Sequence, residues 1–326
     1  MKAITYTRYG PPEVLRLEEL EKPTPGAGQV LIQVRAAAAN PADWHTMRGA
    51  PFLARLVNGL FKPTNPRLGL DLAGRVEALG SGVTHLHAGD EVFGSLPLSA
   101  MGSFAEYVCV DEKFVALKPA GLSFEQAATV PLAAFTALQG LRDKGRIRAG
   151  QTVLVNGASG GVGTFAVQIA RSYGTEVTGV CSTGNLELVR SLGAEHVIDY
   201  TREDFTQGSR RYDLIFDAVG NHSVADCRRA LNPGGICAVA GFTSLALLFQ
   251  VMLLGGKDVG LMQTARTDQQ DLLILKELLE AGKIVPVIDR SYPLAETAAA
   301  IGYLEAGHAR GKVVIRVGQD QAPGKA

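Results

Sequence analysis

Three glycines mark the place where this chain is best equipped for chemistry. Gly157, Gly160 and Gly163 follow the apolar run Thr152-Val153-Leu154-Val155 and open the stretch from Val162 to Tyr173. A strand, a glycine turn and a helix in that order make an anion site. Backbone N–H groups at the helix N-terminus point outward, and a Cβ there would hold a diphosphate away from them. The spacing is GxxGxxG, not GxGxxG, so the strand–turn–helix context carries the reading. Gly157, Ser159, Gly160, Gly161, Val162 and Gly163 are expected to hold the diphosphate of a nicotinamide dinucleotide.

The coenzyme's second half is read one strand later. A site that prefers NADH usually places an acid about 20 residues beyond the glycines, where it holds the ribose diol. Here the strand ends in Val180-Cys181-Ser182-Thr183-Gly184-Asn185, with no acid before Glu187. Hydroxyls and an amide suit a 2′-phosphate better than a carboxylate does, so NADPH is expected over NADH. The nearest cations, Arg190 and Arg202, read as solvated surface charges.

Other residue types with chemical potential are less convincing. His85-Leu86-His87 precedes the turn Gly89-Asp90 and has no third ligand nearby, so it reads as a pair of surface histidines. The four cysteines, Cys109, Cys181, Cys227 and Cys237, form no CxxC pair. Free thiols in apolar runs behave as small hydrophobes and point to a reducing, cytoplasmic location.

Elements must position these residues. From Ser123, with Gln126 at the capping-box offset, strands and helices alternate. Strands are expected at Thr152–Val155, Glu176–Cys181, His196–Asp199, Asp213–Asp217 and Ile236–Ala240. Helices are expected at Val162–Tyr173, Leu186–Leu192 and Ser223–Leu231. That alternation means βαβ units and a parallel sheet covered on both faces. The first third is instead strand-rich and punctuated by glycine and proline, as in a mostly antiparallel barrel or sandwich. After a helix over Gln269–Ala281, strand texture returns at Val285–Arg290 and Lys312–Val317, and these strands are expected to complete the first domain. The expected division is 1–122 with 284–326, and 123–283. The tail from Gln319 reads as frayed.

Composition narrows the classes. Lys plus Arg and Asp plus Glu both number 32, so no net field favours nucleic acid. The uncharged stretch Ile236–Gly256 is broken by Gly241, Thr243, Ser244 and Gln250, which predicts a strand, a turn and a short helix, not a membrane span. That helix is expected to form a hydrophobic lip or subunit contact, with peripheral membrane contact as the alternative. Met1-Lys2 leads directly into strand-like residues, and no signal peptide is expected.

With these residues in hand, the chain resembles the medium-chain dehydrogenase/reductase superfamily, in its zinc-free, zeta-crystallin-like quinone oxidoreductase branch. The likeness is carried by Ala39-Asn40-Pro41-Ala42-Asp43, Gly69-Leu70-Asp71-Leu72-Ala73-Gly74, Gly89-Asp90-Glu91-Val92 and Gly102-Ser103-Phe104-Ala105-Glu106-Tyr107. It continues through Leu132 to Ala137, the glycine turn, Val197-Ile198-Asp199-Tyr200, Phe216 to Gly220 and Gly311-Lys312-Val313-Val314. The resemblance implies an α/β chain with a Rossmann doubly wound parallel sheet and a mostly antiparallel, β-barrel-like (GroES-like) catalytic domain. It matches Ser182, Asn185 and Tyr200 to positions touching the adenosine phosphate, Asn185 standing where many relatives have lysine. Thr136, Ala240 and Phe242 match positions beside the nicotinamide, and Val219 and Lys312 join the expected coenzyme set.

The same likeness shapes the expected reaction. Asn40 stands where zinc-dependent relatives place a cysteine ligand, and Leu70-Asp71 replaces their His-Glu pair, so no metal is expected. His45 aligns with a proton-relay histidine, but Ala42 interrupts the relay. Asn40 and His45 are the catalytic candidates, as donors to an acceptor's oxygen in an interdomain cleft. The expected reaction is NADPH-dependent hydride transfer to a quinone or to the activated C=C of an enone or enal, by a homodimer. A metal-free alcohol dehydrogenase and an NADPH-binding sensor with little turnover are the alternatives. The run Phe52 to Phe61 reads as a lid or as a helix packed on the barrel.

Overall fold

A computed structural model describes residues 1–52, 55–262 and 265–317. Contacts divide the chain into two compact units: Met1–Leu132 with Thr267–Glu277 and 288 onward, and Ala133–Arg266 with Leu278–Val287. The first division falls after Leu132, where the sequence reading placed it at 122.

The first unit begins with a two-stranded ribbon, β1 (Lys2–Thr5) and β2 (Arg16–Glu19), and continues with the long β3 (Gln29–Ala39). Pro41–Arg48 forms α1. Asn40 is its N-cap, with Pro41 at the first helical position, and the Asp43 side chain reaches back to accept from the Asn40 backbone amide at 2.7 Å. After the single turn α2 (Arg55–Asn58) come β4 (Asp71–Leu79), β5 (Glu91–Ser95), β6 (Tyr107–Asp111) and β7 (Val115–Leu117). Helix α3 (Phe124–Ala128) starts at the expected box, with Ser123 accepting from the Gln126 amide and the Gln126 side chain returning the bond.

The second unit begins within α4 (Pro131–Gln139). It holds β8 (Thr152–Asn156), α5 (Gly161–Ser172), β9 (Glu176–Cys181), α6 (Leu186–Ser191), β10 (His196–Asp199) and β11 (Tyr212–Asp217). Then follow α7 (Val224–Ala230), β12 (Leu231–Val239), α8 (Leu245–Leu254) and β13 (Val259–Leu261). The six strands run in the order β10-β9-β8-β11-β12-β13, every pair parallel. In order of appearance that is 3-2-1-4-5-6, the Rossmann arrangement, whose reversal of strand order lies at β8. Buried branched and aromatic residues on β8, β9 and β11 make its core, as expected for strands covered on both faces.

Helix α9 (Gln269–Glu280) belongs to the first unit as far as Glu277, where the sequence reading had the second domain running to 283. After Leu278–Val287 the first unit resumes through β14 (Ile288–Pro293), α10 (Thr297–Glu305) and β15 (Lys312–Arg316). There β15 pairs antiparallel with β3, and β14 pairs with β15, in a seven-stranded sheet ordered β14-β15-β3-β4-β5-β7, with β6 also on β3. Leu53, Ala54 and the tail from Gly318, where a lid and a frayed end were expected, fall partly or wholly outside the described residues. Of the lid run, Phe52, Leu56, Leu60 and Phe61 are exposed. No described helix is long and apolar enough to cross a membrane.

Candidate functional site

In the second unit the carboxyl ends of four adjacent strands carry most of the expected coenzyme residues. After β8, Gly157 turns with φ +81°, a conformation favouring glycine, and a Cβ on it would meet Val219 Cγ2 at 2.7 Å. A Cβ on Gly163 would meet the Gly157 carbonyl oxygen at 2.0 Å, so only glycine lets α5 start this close to the strand. Gly160 caps α5 in extended conformation without a side-chain cap. The first amides of α5, at Gly161, Val162 and Gly163, have no acceptor within the helix and are available to an anion, which the helix dipole also favours. This backbone cradle fits a diphosphate.

Two neighbouring loops brace it. Asn156, at the end of β8, donates to Asp217 Oδ1 at 2.8 Å and to Asn221 Oδ1 at 2.9 Å. Asp217 Oδ1 also accepts from the Val219 and Gly220 amides at 3.0 and 2.8 Å. The Ala240 amide donates to the Asp217 carbonyl at 2.8 Å, and Thr243 reaches the Gly220 carbonyl. Val219 and Ala240 are thus anchored to the same buried aspartate, and Phe242, two residues further, is partly exposed. Asn156 and Asp217 escaped the sequence reading. The available signal was two polar residues ending apolar strands.

Beside the cradle, Asn185 donates to Ser182 Oγ at 3.0 Å and Ser159 Oγ at 3.2 Å. The polar end of β9 is therefore tied to the glycine turn. Tyr200, exposed, follows β10 and donates its amide to the Cys181 carbonyl at 3.1 Å. The acid at the end of β10 is already engaged: Asp199 accepts from the Thr183 and Thr201 hydroxyls and pairs with Arg202 at 3.5 Å. Those bonds, the Thr183 hydroxyl foremost, hold its carboxyl below the usual range. Arg190 pairs with Glu187. Thr136 lies half-buried on α4, whose following residue Gly140 abuts Phe216.

Lys312, expected with the coenzyme residues, belongs to the first unit, where it is 4% exposed. Its ammonium donates to Asn40 Oδ1 at 2.5 Å and the Ala39 carbonyl at 3.3 Å, and stands 3.6 Å from Asp71 Oδ2. The Asn40 amide donates to the Ala38 carbonyl at 3.1 Å and to Asp71 Oδ2 at 3.0 Å. Both amide hydrogens are committed, so in this arrangement Asn40 has none left for a bound acceptor. Asp43 accepts from the Asn40 and Gly69 amides at 2.7 and 3.0 Å, and Asp71 Oδ1 from the Leu132 amide at 3.0 Å. Two buried carboxylates thus share one buried ammonium. Burial pushes the Asp43 carboxyl up to about 7, raises Asp71, and lowers Lys312.

His45, on α1, is half-buried and stacks on Trp44 with ring centroids 3.6 Å apart. Burial lowers its pKa, which favours the neutral imidazole near pH 7. Among the described residues, no group of three or more His, Cys, Asp or Glu side chains is arranged to hold a metal ion.

Comparison with known proteins places this geometry among oxidoreductases. Residues 26–120 match the alcohol dehydrogenase GroES-like domain, and residues 192–315 match the zinc-binding dehydrogenase family. A 2-methylene-furan-3-one reductase of Solanum lycopersicum is 40% identical over 97% of this chain and 79% of its own length. An NADPH-dependent alkenal/one oxidoreductase of Arabidopsis thaliana chloroplasts is 39% identical over the same shares, 97% and 79%. Among solved structures, the quinone oxidoreductase of Coxiella burnetii superposes with a TM-score of 0.85 at 33% identity, covering 98% of this chain and 99% of that one.

Proposed function

The chain belongs to the medium-chain dehydrogenase/reductase superfamily, in its quinone oxidoreductase branch, and from that premise we propose that it is an NADPH-dependent, zinc-independent enzyme transferring hydride to a quinone or to the activated C=C of an α,β-unsaturated carbonyl. The observation that carries this reading is the glycine cradle at the strand-order reversal, with Ser182 instead of an acid at the neighbouring strand end and Ser159 beside it in the glycine turn. When bound, NADPH supplies the hydride from its nicotinamide ring.

The chain's own residues do the rest. The amides of Gly161, Val162 and Gly163 hold the diphosphate, and Ser159 and Ser182 favour a 2′-phosphate. Val219, Ala240, Phe242 and Thr136 flank the nicotinamide, and Tyr200 lies against the adenosine. Zinc independence is supported by the Lys312 ammonium, which occupies the polar centre shared by Asn40 and Asp71. A conjugated acceptor fits a centre without a Lewis acid, because charge arriving at its β-carbon delocalises onto oxygen, where hydrogen-bond donors suffice. His45 is the side chain proposed to supply such a donor, while Asn40 holds the start of α1. A saturated ketone would need its alkoxide stabilised more strongly.

Steady-state oxidation of NADPH against a panel of quinones, enals and saturated ketones tests the reading. Turnover with quinones or enals that persists after chelation is expected. His45→Gln should lower kcat by about tenfold to a hundredfold, leaving the KM for NADPH unchanged. A protein that binds NADPH yet turns over no acceptor, or that loses activity to chelators, would refute it.

The reading extends to a homodimer in a reducing, cytoplasmic compartment. The four cysteines are free. Strand β13 ends the parallel sheet, and beside it α8 exposes Leu245, Phe249, Met252, Leu253 and Leu254. An apolar face of this kind is suited to a second copy of the chain.

A further inference from the structure

Asn185 is 9% exposed, and its side chain bridges two loops that a coenzyme would have to touch together. Its Nδ2 lies 3.2 Å from Ser159 Oγ and 3.0 Å from Ser182 Oγ. An amide nitrogen can only donate, so each serine oxygen must accept. Neither hydroxyl has another side-chain or backbone partner among the described residues, so each retains its own hydrogen to donate.

The reverse amide orientation is disfavoured. Asn185 Oδ1 is buried without a partner. Turning the amide over would let both hydroxyls donate to Oδ1, but it would leave two buried N–H hydrogens unpaired, and an orphaned donor is rarer in folded proteins than an under-used carbonyl. Asn185 therefore fixes the sense of both serine hydrogen bonds.

We propose that Asn185 is the positioning residue for coenzyme preference: by donating to Ser159 and Ser182 it turns both hydroxyl hydrogens toward the ligand, and the pair recognises an acceptor-only anion, the 2′-phosphate of NADP(H). This rests on the coenzyme reading above and changes one part of it, because Asn185 acts through the serines and not by its own contact with the phosphate. Discrimination is supplied by neutral donors. Arg190 and Arg202 are engaged by Glu187 and Asp199, so they add no unpaired cation beside the serines.

Calorimetric titration of folded variants with NADPH, NADH and 2′,5′-ADP separates the possibilities, with circular dichroism as the check of folding. Asn185→Ala is expected to weaken NADPH and 2′,5′-ADP binding by about tenfold, the scale of one or two hydrogen bonds to a charged group, and to leave NADH binding unchanged. Asn185→Asp should cost more. Its carboxylate accepts from both hydroxyls, turns their hydrogens inward and brings negative charge near the phosphate, so preference moves toward NADH.

The deciding comparison is a cycle of variants. If Asn185 acts through the serines, adding Asn185→Ala to the Ser159→Ala/Ser182→Ala pair changes NADPH affinity no further. A further loss of about tenfold in the triple variant would show direct contact and overturn the proposal. Wild-type protein that binds neither reduced coenzyme would instead refute the underlying coenzyme reading. Should Asn185→Ala fail to fold, the same cycle run with Asn185→Thr gives the same two outcomes.

Discussion

Replacing Lys312 by methionine removes one ammonium and almost no volume, which isolates the charge at the polar centre of the first unit. Asp43 and Asp71 would then share the site with no cation. Breaking a buried pair from one side costs about 3–5 kcal/mol. The loss should depend on pH in a definite direction. Both carboxyls have folded pKa values raised above their ordinary range by burial, Asp43 to about 7. A group raised in this way contributes stability that is present below its unfolded pKa and lost as pH rises through its folded pKa. Urea denaturation at pH 5 and pH 8 should therefore show the larger deficit for Lys312→Met at pH 8. An equal deficit at both pH values would contradict this account. At this scale the sequence named Asn40, Asp43, Asp71 and Lys312 without the contacts among them. Asn40 stood out because it stands where zinc-dependent relatives place a cysteine ligand. That its two amide hydrogens go to the Ala38 carbonyl and Asp71 depends on β4 lying beside β3.

At the scale of elements, the glycine turn and α5 form the most demanding joint in the second unit. Gly163→Ala would place a methyl 2.0 Å from the Gly157 carbonyl oxygen, so strand or helix must shift. Overpacking of this kind costs about 1–3 kcal/mol. The displaced amides should also weaken coenzyme binding by about tenfold or more; thermal unfolding and NADPH titration measure the two effects. Normal coenzyme affinity in a destabilised variant would mean that the cradle does not depend on this close approach. Most of the second unit was legible because its strands are continuous apolar runs and its helices are periodic. The uncharged stretch after Gly235 resolved into strand, turn and helix as its glycines and Ser244 indicated; Ser244 caps α8 by accepting from the Leu247 amide. Two helices had weaker signals. Helix α1 is eight residues long and follows an alanine-rich strand. Helix α10, Thr297–Glu305, is held by packing against α1 and its neighbouring strands, with little polar–apolar alternation of its own. Strand β14 begins at Ile288, later than expected, because its start is set by pairing with β15.

The molecule as a whole presents an apolar surface on α8 that one substitution can test. Leu253 is 79% exposed and Phe249 is 52% exposed, four residues apart on the same helical face. Burying a leucine is worth about 1.5–3 kcal/mol, and a two-fold interface counts each change twice. Leu253→Asp should therefore weaken a homodimer by a hundredfold or more while leaving coenzyme binding intact; analytical ultracentrifugation at several concentrations reads this directly. A wild-type protein that sediments as a monomer at all of them would remove the homodimer reading. By itself the sequence determined the class of fold, the glycine cradle and the absence of an acid at the second strand end. Those depend on local spacing, periodicity and residue size, which are properties of short segments. Only the tertiary structure decided that Lys312 sits against Asn40 and Asp71, that Asn156 and Asp217 lock the loops around the cradle, and that Asn185 faces two hydroxyls. Hydrogen bonds between residues tens or hundreds of positions apart depend on strand order and register, which bring their partners within 3 Å or so of one another.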